Sequence, residues 1–150
     1  KNKDFHARHS AKKRLYEYVI LNRVGELAIN KNKSWLIKKK LDLKKMKKSI
    51  NYFCGTHNFS AFRAASCSAK NAIRTINKAN IKKKEEKIII TFESKSFLQK
   101  QVRSMVGCLK YVGENKWKPE KIKHVIISKK RKFCAPPAPP EGLYLKRVFY

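Results

Sequence analysis

The sequence predicts an α+β domain, an antiparallel sheet flanked by helices, and three observations carry that prediction. Segments rich in aromatic and β-branched residues stand near both ends of the chain and in its middle, as strands do. Two intervening segments place apolar residues at helical spacing. The chain has 150 residues, 42% of them hydrophobic and 11% aromatic, which suits one packed core and argues against disorder. A chain of this size buries roughly 68–70% of its unfolded surface, so residues 1–150 are read as a single domain.

Residues 14–22, RLYEYVILN, read as the first strand. Tyr16, Tyr18 and Ile20 fall on one face; Leu15, Val19 and Leu21 fall on the other. A helix follows from about Asp42 to Cys54. Asp42 is a good N-cap, Leu43, Met46, Ile50 and Phe53 recur at helical spacing between lysines, and Gly55 stops the run. Residues 73–81 and 87–93 are strands joined by the charged turn Lys82–Glu86. The clearest helix spans 97–112. Ser96 and Gln99 make a capping box, Leu98, Val102, Met105, Leu109 and Val112 make one apolar stripe, and Gly113 ends it. Pro119 opens a shorter helix at its first position, with Ile122, Val125 and Ile126 facing inward. Residues 134–142, CAPPAPPEG, form a stiff extended loop, and Leu143–Tyr150 close the chain as a strand. There are no internal repeats.

Charge narrows the function. Lys and Arg total 38 against 10 Asp and Glu, a formal net charge of +28. So positive a field repels itself unless a polyanion balances it, which excludes most small-metabolite enzymes acting alone. Only eight of the basic residues are Arg; the lysines cluster in runs such as Lys38–Lys40 and Lys82–Lys84. Many of those lysines are simply a solvated surface, but the total favours nucleic acid as the main partner. An anionic membrane surface is the minor alternative. No apolar run approaches the roughly 20 residues of a membrane span, and no secretion signal stands at the N-terminus. The expectation is a soluble, cytoplasmic protein. Cys54, Cys67, Cys108 and Cys134 form no C-x-x-C pair, and with the histidines they make no zinc spacing, so free buried thiols are expected and no metal.

Arginines beside aromatic rings are the first chemical signal. Phe5-His6-Ala7-Arg8 is followed by Arg14 and Tyr16, and Phe59-Ser60-Ala61-Phe62-Arg63 is a second cluster. A guanidinium binds phosphate while rings stack on exposed bases. Arg103 interrupts an otherwise apolar helix; by pattern alone such an Arg snorkels to solvent, and the functional alternative is an Arg held in a cleft to pair with a carboxylate. By pattern alone Tyr16, too, is a core residue rather than a stacking platform. Carboxylates are scarce: Asp4 and Asp42 are the only aspartates, and no acid pair is placed for acid–base or two-metal work. Composition and spacing therefore stop at an RNA-binding α+β domain without a visible catalytic centre.

Taken together, the clusters resemble the C-terminal half of the tRNA pseudouridine synthase A family. Residues 4–11, DFHARHSA, are similar to its F-H-A-R-F-S-A, with His9 for the usual Phe. Arg14-Leu15-Tyr16-Glu17-Tyr18 matches R-x-Y-x-Y. Residues 55–64, GTHNFSAFRA, resemble G-x-H-D-F-S-S-F-R-A, with Asn58 for Asp; Cys67 and Arg74 keep their places beyond it. Phe97-Leu98 and residues 102–107, VRSMVG, resemble the F-L and V-R-x-M-V-G helix, with Gln101 where Met is common. Ala135-Pro136 and Gly142-Leu143-Tyr144-Leu145 resemble the closing A-P and G-L-Y-L.

The resemblance implies a chemistry. Such enzymes isomerise uridine to pseudouridine in the anticodon stem-loop of tRNA. The uracil is detached from C1′, turned and rejoined through carbon, after leaving its stack. A catalytic Asp attacks the sugar or the base covalently. By that resemblance Tyr16 stacks on the target base, Arg103 pairs with the catalytic Asp, and Leu143 lines the base pocket. Arg8, Arg14, Arg63 and Arg74 are the candidate RNA-binding residues. No cofactor is implied, and the partners are tRNA and a second copy in a homodimer. The family's aspartate lies in a G-R-T-D-x-G-V-H-A motif that this sequence lacks, and the first residue is Lys1 rather than Met. The expectation is a C-terminal domain whose N-terminal half lies outside these residues, inactive alone. The rival from another class is a basic RNA-binding module without enzymatic activity.

Overall fold

β1, Lys13–Asn22, is the strand on which the sheet is assembled. In the computed structural model, which describes residues 3–25 and 32–150, it is flanked on one side by β5, Lys87–Ser94, in antiparallel register. The Lys1–Asn2 start lies outside the described residues. On the other side β1 takes two partners end to end. β6, Leu143–Phe149, runs antiparallel along its first half, and β2, Trp35–Ile37, runs parallel along Ile20–Asn22. β4, Ile73–Lys84, continues the sheet beyond β5, and β3, Gly55–Asn58, ends it. The expected antiparallel sheet is thus antiparallel in every pairing except β1–β2.

The strand faces explain the layering. Tyr18 and Ile20 are fully buried, and their cross-strand partners Ile90 and Ile88 are buried with them. Phe92, opposite Tyr16, completes that face. The helices cover it: α1, Leu43–Ile50, α2, Gln101–Gly113, and α3, Lys121–Ser128. α2 supplies the apolar stripe as anticipated, with Val102, Met105, Leu109 and Val112 all buried. Gly113 lets α1 approach closely, since a Cβ there would stand 2.6 Å from the Met46 sulfur.

Several boundaries differ from the sequence reading, each for a local reason. Asp42 does cap α1, its Oδ1 accepting from the Lys45 N–H at 3.1 Å. The α-helix stops at Ile50, however, and a 3₁₀ turn carries Asn51–Phe53. Gly55 does not end that helix; it opens β3 at φ +99°, a conformation suited to glycine. α2 begins at Gln101, so the Ser96–Gln99 capping box does not form. Lys100 sits at φ 62° and blocks backward extension, and the Gln101 side chain instead accepts from the Leu98 N–H at 2.8 Å. Pro119 stands two residues ahead of α3 rather than at its first position. The β4–β5 turn is only Glu85–Glu86, with Glu85 left-handed at φ 56°, so both strands run longer than expected.

Candidate functional site

Residues 134–139 are extended, as four prolines between 136 and 140 dictate, and a 3₁₀ turn at Pro140–Gly142 delivers the chain into β6. This segment lies as a strap along α2. The Ala138 N–H donates to the Arg103 carbonyl at 2.8 Å, and Arg103 Nε donates to the Ala138 carbonyl at 2.7 Å. One turn further along α2, Gly107 allows the strap to press against the helix: a Cβ there would meet the Pro136 oxygen at 2.0 Å. Next to it the Cys108 and Cys134 sulfurs lie 3.5 Å apart.

The strap's far end is held by β1. The fully buried Tyr18 donates its hydroxyl to the Pro139 carbonyl at 2.6 Å. Gly142 packs onto its ring, where a Cβ would approach ring carbons to 2.7 Å. Burial pushes the Tyr18 hydroxyl well above the ordinary tyrosine range; the Glu141 carboxylate adds to that push and the Arg103 guanidinium opposes it. Arg103 and Tyr18 therefore act on the same short stretch of backbone.

The structure places the sequence-derived candidates as follows. Arg103 is half-buried in the first turn of α2. With Nε tied to the strap, its two terminal nitrogens have no partner among the described residues and stay available to an anion. Tyr16 is half-buried, its ring edge-on to Phe97 at 5.2 Å. It lies two residues from Tyr18 on the same face of β1. Leu143, also half-buried, is the direct cross-strand partner of Tyr18. A β-bulge between Leu15 and Tyr16 then sets Tyr16 opposite Leu145. Tyr16 and Leu143 thus share one sheet face, on adjacent strands, and Arg103 approaches the same strap from α2.

The four candidate RNA-binding arginines gather at one end of the sheet. Arg14 pairs with Ser94 at the end of β5, and Ser94 pairs in turn with Ile76 near the start of β4. Arg14 donates to the backbone carbonyls of Lys95 and Arg8, drawing the exposed Arg8 alongside. Arg74, the second residue of β4, faces His57 of β3 at that same end. Arg63 donates to the Ala69 carbonyl at 3.4 Å. The Cys67 thiol is pulled below its ordinary value by the Ala69 and Gln99 backbone N–H groups, and then by the charges of Arg63 and Arg74. Asn58, standing where the family has Asp, turns its side-chain oxygen back to the Ser60 N–H at 2.9 Å. No group of three His, Cys, Asp or Glu side chains among the described residues is placed to hold a metal ion, and no helix among them is long and apolar enough to cross a membrane.

Two residues at the site escaped the sequence reading. Tyr18 was assigned only a strand face, although the second Tyr of R-x-Y-x-Y was the available signal. Arg131 braces the strap's entry, donating to the Ser104 hydroxyl at 2.9 Å and the Ala61 carbonyl at 3.3 Å. Nothing in its local sequence marks it.

Known proteins are similar to this chain in sequence. A family model described as tRNA pseudouridine synthase matches residues 49–150. A protein of Pelagibacter ubique named tRNA pseudouridine synthase A is 56% identical over 146 residues, covering 97% of this chain and 59% of that protein. Proteins of the same name from Ehrlichia canis and Ehrlichia chaffeensis are 42% and 44% identical over 98% and 97% of the chain, each covered to 60%. The chain thus spans about three fifths of the length of these curated relatives. With a family model matched over two thirds of its residues, the chain belongs to the tRNA pseudouridine synthase family.

Proposed function

We propose that this chain supplies the tRNA-holding side of a pseudouridine synthase active site, acting on a uridine in the anticodon stem-loop. The observation that carries the reading is Arg103: Nε is anchored to Ala138, and the remaining donors of the guanidinium fork are open to a carboxylate. That carboxylate is the catalytic Asp, contributed by polypeptide beyond these residues, because Asp4 and Asp42 lack the family motif and Asp42 is occupied in capping α1. Tyr16 stacks on the flipped uracil and Leu143 lines its pocket. Arg8, Arg14, Arg63 and Arg74 receive the phosphates of the stem. The protein works in the cytoplasm as a homodimer, without a cofactor.

Pseudouridine formation in a tRNA transcript tests this directly. The chain alone should make none. Joined to a segment carrying the R-T-D-x-G-V-H-A motif it should convert uridine, and Arg103→Ala should abolish conversion while tRNA binding persists. Conversion by the chain alone would sink the assignment of the nucleophile to outside polypeptide. Failure of the joined polypeptide would leave the basic RNA-binding module as the function.

A further inference from the structure

We propose that Cys108 and Cys134 are a reversible dithiol site, which a low-molecular-weight disulfide such as oxidised glutathione converts to an intramolecular disulfide that staples the 134–142 strap to α2. The two sulfurs are already in contact at 3.5 Å, one on the helix and one at the strap's first residue. Among the described residues Cys54 and Cys67 have no such thiol neighbour. The two environments are unequal in the way exchange chemistry requires. Cys108 is fully buried, whereas Cys134 is half-buried and the more exposed of the two. The Cys108 thiol hydrogen-bonds to Cys134 and pulls it below its ordinary value, with the Arg131 guanidinium adding to the effect; burial pushes Cys108 up.

The steps follow from that division. The Cys134 thiolate attacks one sulfur of the glutathione disulfide, whose S–S bond breaks, and the first glutathione thiolate leaves and takes a proton. Cys108 then attacks Cys134 Sγ in the mixed disulfide, giving up its proton, and the second glutathione thiolate departs and is protonated. Two protein thiols are oxidised to one disulfide and one glutathione disulfide is reduced to two thiols. The backbone already brings the partners together: beyond Cys134 the strap touches α2 at Pro136 over Gly107 and at Ala138 on Arg103, so closing the bond continues a contact that exists. This inference stands independently of the reaction proposed above.

The test equilibrates the chain in glutathione buffers of stepped redox ratio, quenches with iodoacetamide and reads intact mass and tryptic peptides. The expected product has lost two hydrogens, retains two of its four thiols, and yields one linked peptide joining Cys108 to Cys134. Dithiothreitol should reverse it. Cys134→Ser should lose the reaction while Cys54 and Cys67 behave as before. Amide exchange of the strap should slow in the oxidised form. A persistent glutathione adduct on Cys134, a linkage involving Cys54 or Cys67, or no reaction at any ratio would each overturn the proposal. If Cys134→Ser does not fold, the peptide map of the unaltered chain decides alone.

Discussion

Replacing Tyr18 by Phe removes one oxygen atom and, with it, the bond that ties the strap to β1. The ring stays fully buried among Ile20, Ile90 and Trp35, so little apolar area changes hands. What is lost is the 2.6 Å hydrogen bond to the Pro139 carbonyl. An orphaned acceptor in a dry site costs about 1–3 kcal/mol. Pro139 is only half-buried, and water reaching its oxygen brings the expectation to about 1–2 kcal/mol. For a domain of 150 residues each kcal/mol lowers Tm by about 2–4 °C, so a fall of about 2–8 °C is expected. Tyr16→Phe is the control. No partner holds the Tyr16 hydroxyl among the described residues, so that variant should stay within about 0.5 kcal/mol of the parent. Thermal and urea melts followed by circular dichroism at several pH values measure both. The pH dependence adds a second check. Because the folded state holds the Tyr18 hydroxyl above its unfolded value, its contribution is whole below about pH 10 and drains as pH rises towards the folded value. Tyr18→Phe should flatten that alkaline loss. Equal stability of Tyr18→Phe and the parent at neutral pH, or an unchanged alkaline slope, would refute the reasoning.

Further expectations concern the helix contacts, the buried acid and the arginines. Gly107→Ala forces a methyl to within 2.0 Å of the Pro136 oxygen, so the strap must lift from α2. A loss of about 1–3 kcal/mol is expected, with faster amide exchange at Ala138, and retained protection there would contradict it. Burial raises the Glu114 carboxyl, but Lys110 at 3.0 Å and Lys116 at 3.1 Å outweigh it and hold the group below the ordinary carboxylate range. Its stabilisation is therefore full above the unfolded carboxylate value and is lost as pH falls through the lowered folded value. Glu114→Gln should cost about 1–2 kcal/mol near neutrality and converge with the parent in acid; a pH-independent difference would argue against the lysine clamp. On the proposed tRNA contacts, Arg14→Gln or Arg74→Gln should each reduce the slope of log binding constant against log salt by about one unit. Unchanged slopes would place the phosphates elsewhere.

The long elements were legible because their patterns are strong. β1, β5 and the α2 stripe follow directly from alternation and helical spacing, and Asp42 capped where its chemistry suggested. β2 and β3 were not legible: Trp35–Ile37 and Gly55–Asn58 are three and four residues long and are strands only because β1 and β4 provide edges. The start of α2 was misplaced because Lys100 is held left-handed by its surroundings, which no propensity records. The site divides in the same way. Tyr16, Arg103 and Leu143 were marked by their family motif positions, whereas the bonds that hold the strap run from Arg103 and Tyr18 to carbonyls 35 and 121 residues away. Contacts of that separation leave no trace in a local pattern, so the strap could be read as stiff but not as a clasp.

The pairing of β6 with β1 has a kinetic side. Lys13 faces Phe149 across that ladder, and Lys12 donates its N–H to the Phe149 carbonyl at 2.8 Å, so segments far apart in the sequence must meet. A ribosome releases a chain from its N-terminal end. The β4–β5 hairpin can close while synthesis continues, because its strands are joined by two residues. The Tyr18 to Pro139 clasp and the β1–β6 ladder cannot form until β6 has left the exit tunnel. Until then the nascent chain carries β1 with half of one edge uncovered, a template that other strands can occupy. Its many lysines then serve as mutual repulsion, keeping unfinished copies apart during the interval before β6 pairs with β1.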